Sequence, residues 1–175
     1  MRVYESIFSL RLELVPVTAA AVASELAGDG ALGGLLGAEV TTEWPPVDWD
    51  RPVLELLAAT FERDPEQQAF QRYVLLRRED GSRVLVGSVG GFVWPERPGE
   101  IEIGYSVLPA FRRRGYAFEA AERYVAYVRE RAGAMEVVAQ TFPRLEASVR
   151  ILERLGFVRD GDGREEGAMA FRLGG

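Results

Sequence analysis

The stretch from Ile101 to about Arg131 constrains the fold more than any other part of the chain. Ile101 to Val107 alternates as a strand does, and Phe118 to about Arg131 reads as a helix. Between them runs the turn Leu108-Pro109-Ala110-Phe111-Arg112-Arg113-Arg114-Gly115-Tyr116-Ala117. A strand that passes through a glycine turn straight into a helix belongs to mixed α/β architectures. It also makes an anion cradle, because the first amides of a helix lack internal partners and the helix dipole is positive there. Three consecutive arginines at such a place repel that dipole by ~0.3–1 kcal/mol each. An anion among them reverses the sign, whereas without one the segment is simply a solvated basic turn.

The chain as a whole reads as βααβββαβαβ, with one further short helix at Ala31 to Leu36. Arg11 to Val17 is a first strand. Thr18 caps a helix over Ala19–Ala27 that ends at Gly28 and Gly30, and Ala31 to Leu36 is a short second helix. Trp44-Pro45-Pro46 and Trp49-Asp50 form a loop, with Asp50 capping a helix over Pro52–Arg63. Tyr73–Arg78 and Val84–Val93 form a hairpin about Glu79-Asp80-Gly81-Ser82. After a Pro95–Gly99 turn come the strand Glu100–Val107 and the helix already described. Met135–Phe142 is then a strand, Glu146–Leu155 a helix closed by Gly156, and Ala168–Leu173 a last strand.

Composition excludes much chemistry. The chain has 175 residues, 47% of them hydrophobic, which suits a single domain over residues 1–175. It contains no His, Cys, Lys or Asn, and all 21 basic residues are arginine. Ser-His-Asp triads, cysteine nucleophiles, Schiff-base lysines, the phosphate-loop lysine and zinc sites built on Cys and His are therefore ruled out. Proton transfer falls to Glu, Asp, Tyr, Ser or water. No export signal or membrane-spanning run is visible, and the absence of cysteine fits a cytoplasmic location. A net charge of −6 argues against nucleic acid as a partner, so a small anionic ligand suits the arginine island better.

Arg112-x-x-Gly115-x-Ala117 resembles the Q/R-x-x-G-x-G/A signature of the GNAT superfamily of acetyl-CoA-dependent N-acetyltransferases. The likeness runs from Glu102 to Pro109 and from Gly115 to Ala120. It returns in Ala147-Ser148-Val149-Arg150-Ile151-Leu152-Glu153-Arg154-Leu155-Gly156-Phe157, and extends weakly back to Arg11-Leu12-Glu13-Leu14. The branch it resembles is that of the ribosomal-protein N-terminal (RimJ/RimL-like) enzymes. The resemblance implies a mixed sheet of about six to seven strands with flanking helices. In that fold, strands four and five, here Glu100–Val107 and Met135–Phe142, splay apart to admit the pantetheine arm of acetyl-CoA. It further implies direct acetyl transfer to a primary amine, on a small molecule or a protein N-terminus. No metal and no membrane are expected, and a homodimer is compatible with it.

Site residues follow from the two readings together. The amides around Arg113, Arg114, Gly115, Tyr116 and Ala117, with Arg112 beside them, would hold the pyrophosphate, and Gly115 lets a phosphate approach the backbone. By resemblance, Val107 and Leu108 offer main-chain groups to the pantetheine. Period two sets Glu102, Gly104 and Ser106 on one face of their strand and Ile101, Ile103, Tyr105 and Val107 on the other. Glu102 matches the position of a base in many relatives, with Glu100 as second choice; the plain alternative is a solvent-facing strand glutamate. The late helix departs from the family: Leu145 stands where an asparagine contacts the pantetheine, and Leu152 where many relatives carry an acidic tyrosine. Ser148 is retained and is the candidate acid, or else a helix-surface serine. Trp44 and Trp49 either line the acceptor pocket or pack in the core. The acidic loop Asp160-Gly161-Asp162-Gly163-Arg164-Glu165-Glu166 either favours a cationic acceptor or is only solvated. Two rival functions remain: a non-catalytic acyl-CoA-binding module, prompted by Leu145 and the missing tyrosine, and an arginine-patch nucleic-acid binder.

Overall fold

A computed structural model describes residues 4–132 and 136–174. Its frame is one eight-stranded sheet of β1 (Ile7–Phe8), β2 (Leu12–Pro16), β3 (Gln71–Arg77), β4 (Arg83–Phe92), β5 (Glu100–Val107), β6 (Glu136–Thr141), β7 (Phe157–Asp162) and β8 (Met169–Leu173), in the order β1-β2-β3-β4-β5-β6-β8-β7. Every neighbouring pair is antiparallel except β5 with β6. The helices are α1 (Ala19–Ala27), α2 (Leu32–Leu36), α3 (Arg51–Arg63), α4 (Tyr116–Ala132) and α5 (Glu146–Arg154).

The expected architecture holds, with one or two strands more than the resemblance implies. The additions are legible only in three dimensions. β1 is a two-residue strand, too short to show a period. β7 was expected as part of an acidic loop, and only its first residue, Phe157, is buried, so no alternation marks it. Residues 65–70 add a 3-10 turn. Met135, expected to open β6, lies outside the described residues.

Local chemistry explains the boundaries. Thr18 accepts from the Ala21 amide at 3.2 Å to start α1, and Gly28, at φ 63°, ends it in the left-handed conformation. Asp50 accepts from Val53 at 3.1 Å to start α3. The amphipathic face of α3, Leu54, Leu57 and Phe61, packs with Val17, Val22, Tyr73, Leu75 and Leu85 on one side of the sheet. Tyr116, Ala120, Tyr124, Val125 and Val128 of α4 pack with Val74, Val86, Ile101 and Ile103 on the other.

Two features of the sheet shape the site. β5 pairs with β6 from Glu100↔Glu136 only as far as Ile103↔Ala139, while β5 continues along β4 to Val107 and β6 along β8 to Thr141. The two parallel strands therefore part, which is the splay the resemblance implies. In β4, Gly87 pairs with Val74 and Leu85 with Leu75, so Val86 is a bulged residue, and its carbonyl takes the Leu108 amide at 2.8 Å. No helix among the described residues is long and apolar enough to cross a membrane.

Candidate active site

Beyond Val107 the chain turns at Pro109–Phe111 and enters α4 at Tyr116, two residues earlier than expected. Arg113 and Gly115 both have positive φ, 62° and 81°, which folds the turn so that successive amides face outward. Among the described residues no protein acceptor takes the backbone amides of Arg113 to Phe118. A Cβ on Gly115 would meet the flexible end of Arg11, with Nη2 at 3.3 Å, and nothing else within 4 Å. The cradle is braced from behind by a residue the sequence did not single out for it. Arg11 donates to the Arg114 carbonyl at 3.0 Å, covers the Tyr116 ring at 4.5 Å, and pairs through Nε with Glu119 at 2.7 Å. Burial pushes the Glu119 carboxyl up, but Ser9 and Arg11 outweigh it and hold it below the usual carboxylate range.

A cleft of about 700 Å³ runs from this cradle between β5 and α5. It is lined by Val107, Arg112, Arg113, Gly115, Tyr116 and Ala117, and by Leu145 and Ser148 on the facing helix. Arg150 and Arg154, one turn apart on α5, also line it, and were not anticipated as site residues; Arg154 stacks on Phe118 at 3.9 Å. Two expected members lie outside the lining. Leu108 is fully buried, with its amide held by Val86 and its carbonyl by Phe111, and Arg114 is exposed, with its carbonyl taken by Arg11. The Val107 carbonyl accepts from Arg112 Nε at 2.9 Å, so a ligand would have to displace or share that contact.

A second cavity, about 310 Å³, opens on the other side of the splay and is lined by Glu102, Gln140, Arg164, Asp48 and Glu165. Tyr105, Leu145 and Ser148 line both cavities and mark where they meet. Tyr105, read from the sequence only as a member of the apolar face, reaches from β5 to α5, with its hydroxyl 3.2 Å from Ser148 Oγ and 3.3 Å from the Ser148 carbonyl. Burial pushes this phenol up, against the weaker pull of Ser148, so it stays a neutral donor across the working pH range.

Glu102 stands where the strand period sets it, at the edge of the second cavity. Its Oε2 accepts from Gln140 Nε2 at 2.9 Å and from Arg164 Nη2 at 2.6 Å, and its side chain is 21% exposed. Arg164 stacks on Trp94 at 4.1 Å, and its amide donates to Gln140 Oε1 at 2.6 Å, so one glutamine ties the 163–168 loop to the carboxylate. Gly163 permits this approach, since a Cβ there would lie 2.5 Å from Gln140 Oε1. Glu100 is drawn instead into pairs with Arg172 and Arg97 and does not line the second cavity. Trp44 and Trp49 pack against Tyr73, and the indole nitrogens of both donate to Glu25, so they serve the core and not the pocket wall.

A family model described as an acetyltransferase (GNAT) domain matches residues 11–158, from the cradle brace through α5. The chain belongs to the GNAT acetyltransferase family. The uncharacterized N-acetyltransferase YjdG of Bacillus subtilis is 27% identical over 126 residues, covering 70% of this chain and 71% of that one. An acetyltransferase from Agrobacterium tumefaciens superposes with a TM-score of 0.65 at 21% identity, over 98% of this chain and 95% of that one. RimL, a ribosomal alpha-N-protein acetyltransferase solved in complex with coenzyme A, superposes with a TM-score of 0.59 at 16% identity, over 97% and 98%. This GNAT chain is thus an acetyltransferase whose structural neighbours include an enzyme that binds coenzyme A.

Leu145 is where the GNAT resemblance is weakest, and the structure sharpens its test. It is 48% exposed at the N-cap of α5 and makes no side-chain cap. Leu145→Asn therefore removes little packing and adds a better cap, worth about 1 kcal/mol. Acetyl-CoA should bind up to roughly tenfold more tightly with an unchanged or raised melting temperature, at ~1 kcal/mol for a regained hydrogen bond. Weaker binding with a lowered melting temperature would show that the leucine is a packing residue.

Proposed function

We propose that the protein moves an acetyl group from acetyl-CoA to a primary amine by direct transfer, as a cytoplasmic N-acetyltransferase of the RimJ/RimL-like branch. The observation that carries this reading is the meeting of two cavities at Tyr105 and Ser148, one leading to open amides and the other to a carboxylate. The cradle fits a pyrophosphate: it offers outward amides, a glycine without a side chain at the approach, and Arg112 and Arg113 at the rim. Arg150 and Arg154 add charge on the facing wall for further phosphate. When bound, acetyl-CoA supplies an acyl group already activated as a thioester, so the protein needs neither a nucleophile nor a metal.

Its own residues then have three tasks. Glu102 accepts the proton the attacking amine must shed, directly or through a water, using the oxygen that Gln140 and Arg164 leave free. Asp48 and Glu165 beside it make the acceptor cavity acidic and favour an amine that arrives as a cation. Ser148, held by the Tyr105 hydroxyl, donates to the departing sulfur. A coenzyme A thiol leaves readily, its pKa being on the order of a cysteine's. Ser148→Ala should therefore cost only about tenfold in kcat. Tyr105→Phe should cost no more, and the double variant should lose about what either single one loses, because the two hydroxyls act as a unit. Multiplied losses would separate their roles.

The acceptor class is tested by kcat/KM for small diamines and aminoglycosides against peptides with a free N-terminus. The ribosomal-protein acetyltransferases among the structural neighbours favour the peptide, whereas the small acidic cavity favours the diamine. A saturable rate with peptides alone would place this chain with the protein N-terminal enzymes.

A further inference from the structure

Far from the cradle, three guanidinium groups converge on a third cavity. It measures about 480 Å³ and lies between residues 4–8, the start of β3 and the later turns of α4. Arg123, Tyr127 and Arg131 recur every four residues, so they share one face of α4, and Arg72 comes to them from β3. Arg72 stacks on the Tyr127 ring at 4.9 Å and Arg131 lies 5.8 Å from the same ring, so two cations flank one aromatic.

Arg72 is 1% exposed. Its donors go to the carbonyls of Ala69 and Glu5 and to the Tyr127 hydroxyl, all of them neutral. Burial pulls its guanidinium below the ordinary arginine value. Arg123 gives Nε to the Phe8 carbonyl, and neither it nor Arg131 forms an ion pair among the described residues. A buried cation is normally matched by a carboxylate. The single acid lining this cavity is Glu5, which is exposed and bonds Arg72 through its backbone oxygen. The negative C-terminal end of α4 accounts for Arg131. It accounts neither for Arg123 in mid-helix nor for a cation buried under both.

We propose that this cavity is a second anion site that takes a phosphate group, held by Arg123 and Arg131 over the buried charge of Arg72, while the Tyr127 hydroxyl, donated to the Ala69 carbonyl at 3.1 Å, keeps Arg72 in place. Three arginines less Glu5 leave an excess of two positive charges, which matches a phosphate dianion, and a guanidinium fork suits its oxygens. The space admits a small organic group beyond the phosphate. Tyr127 lies eleven residues into α4, about 16 Å along the helix from Tyr116. The site is therefore separate from the cradle and independent of the proposed reaction.

The test uses protein already saturated with acetyl-CoA, so that the cradle is filled. Inorganic phosphate is titrated at constant ionic strength while the melting temperature is followed, with parent and Arg123→Gln/Arg131→Gln compared. Both substituted side chains lie outside the acetyl-transfer machinery, so activity should be unchanged. The parent should show a saturable rise, and the variant should bind phosphate at least about tenfold more weakly. An equal saturable response in the variant, or no saturable response in the parent, would overturn the proposal. Glucose 6-phosphate as a second arm shows whether the room beyond the phosphate is used: binding tighter than inorganic phosphate supports a phosphorylated metabolite, and binding no tighter overturns that part.

Discussion

Gly115→Val abolishes detectable binding of acetyl-CoA. Two effects combine. The isopropyl group crowds Arg11 Nη2, which braces the turn, and so disturbs the cradle, and the backbone at φ 81° is one that β-branched residues resist. The second effect strains the turn by ~1–3 kcal/mol, so the melting temperature should fall while the domain stays folded. Circular dichroism with calorimetric titration separates the two. Arg112→Ala is the milder comparison: it removes one exposed charge and frees the Val107 carbonyl, so binding weakens without being lost. Titration of Gly115→Val with the parent's affinity would mean that the phosphates lie elsewhere.

Glu102→Gln lowers kcat by roughly 10²–10⁴-fold, the span of general base catalysis, with little change in acetyl-CoA affinity. The amide oxygen can still accept from Arg164, and the partner cation is 38% exposed, so the fold has little reason to suffer. An unchanged kcat with a good acceptor would reduce Glu102 to the anchor of Arg164 and the 163–168 loop.

What could be read in advance was whatever is local. The alternation of β5, the caps at Thr18 and Asp50, and the glycine turn into α4 each lie within a few residues, and each stands where expected. The splay came from resemblance alone, because no period in β5 or β6 records where their pairing stops. The supporting contacts were hidden because they join distant segments. Arg11 reaches Glu119 across 108 residues, and Glu102 takes Gln140 and Arg164 from 38 and 62 residues away. Tyr105 was misleading in a different way. Its face of β5 is apolar, as the period demands, yet a tyrosine carries a polar tip past its apolar ring, and that tip ends on Ser148. Arg72 lies just before the expected strand Tyr73–Arg78 and follows Gln71, so no local pattern marks it as a buried cation, although β3 in fact begins at Gln71.

The measurement closest to the central claim is release of free thiol from acetyl-CoA, followed with and without a panel of primary amines, for the parent and for Glu102→Gln. Transfer by direct attack predicts negligible thiol without an amine. With at least one amine the parent should release thiol in step with acetylated product, and Glu102→Gln should slow that release by at least about a hundredfold. Tight binding of acetyl-CoA with no thiol released for any amine would contradict the account, and would make the protein a binding module built on an acetyltransferase fold.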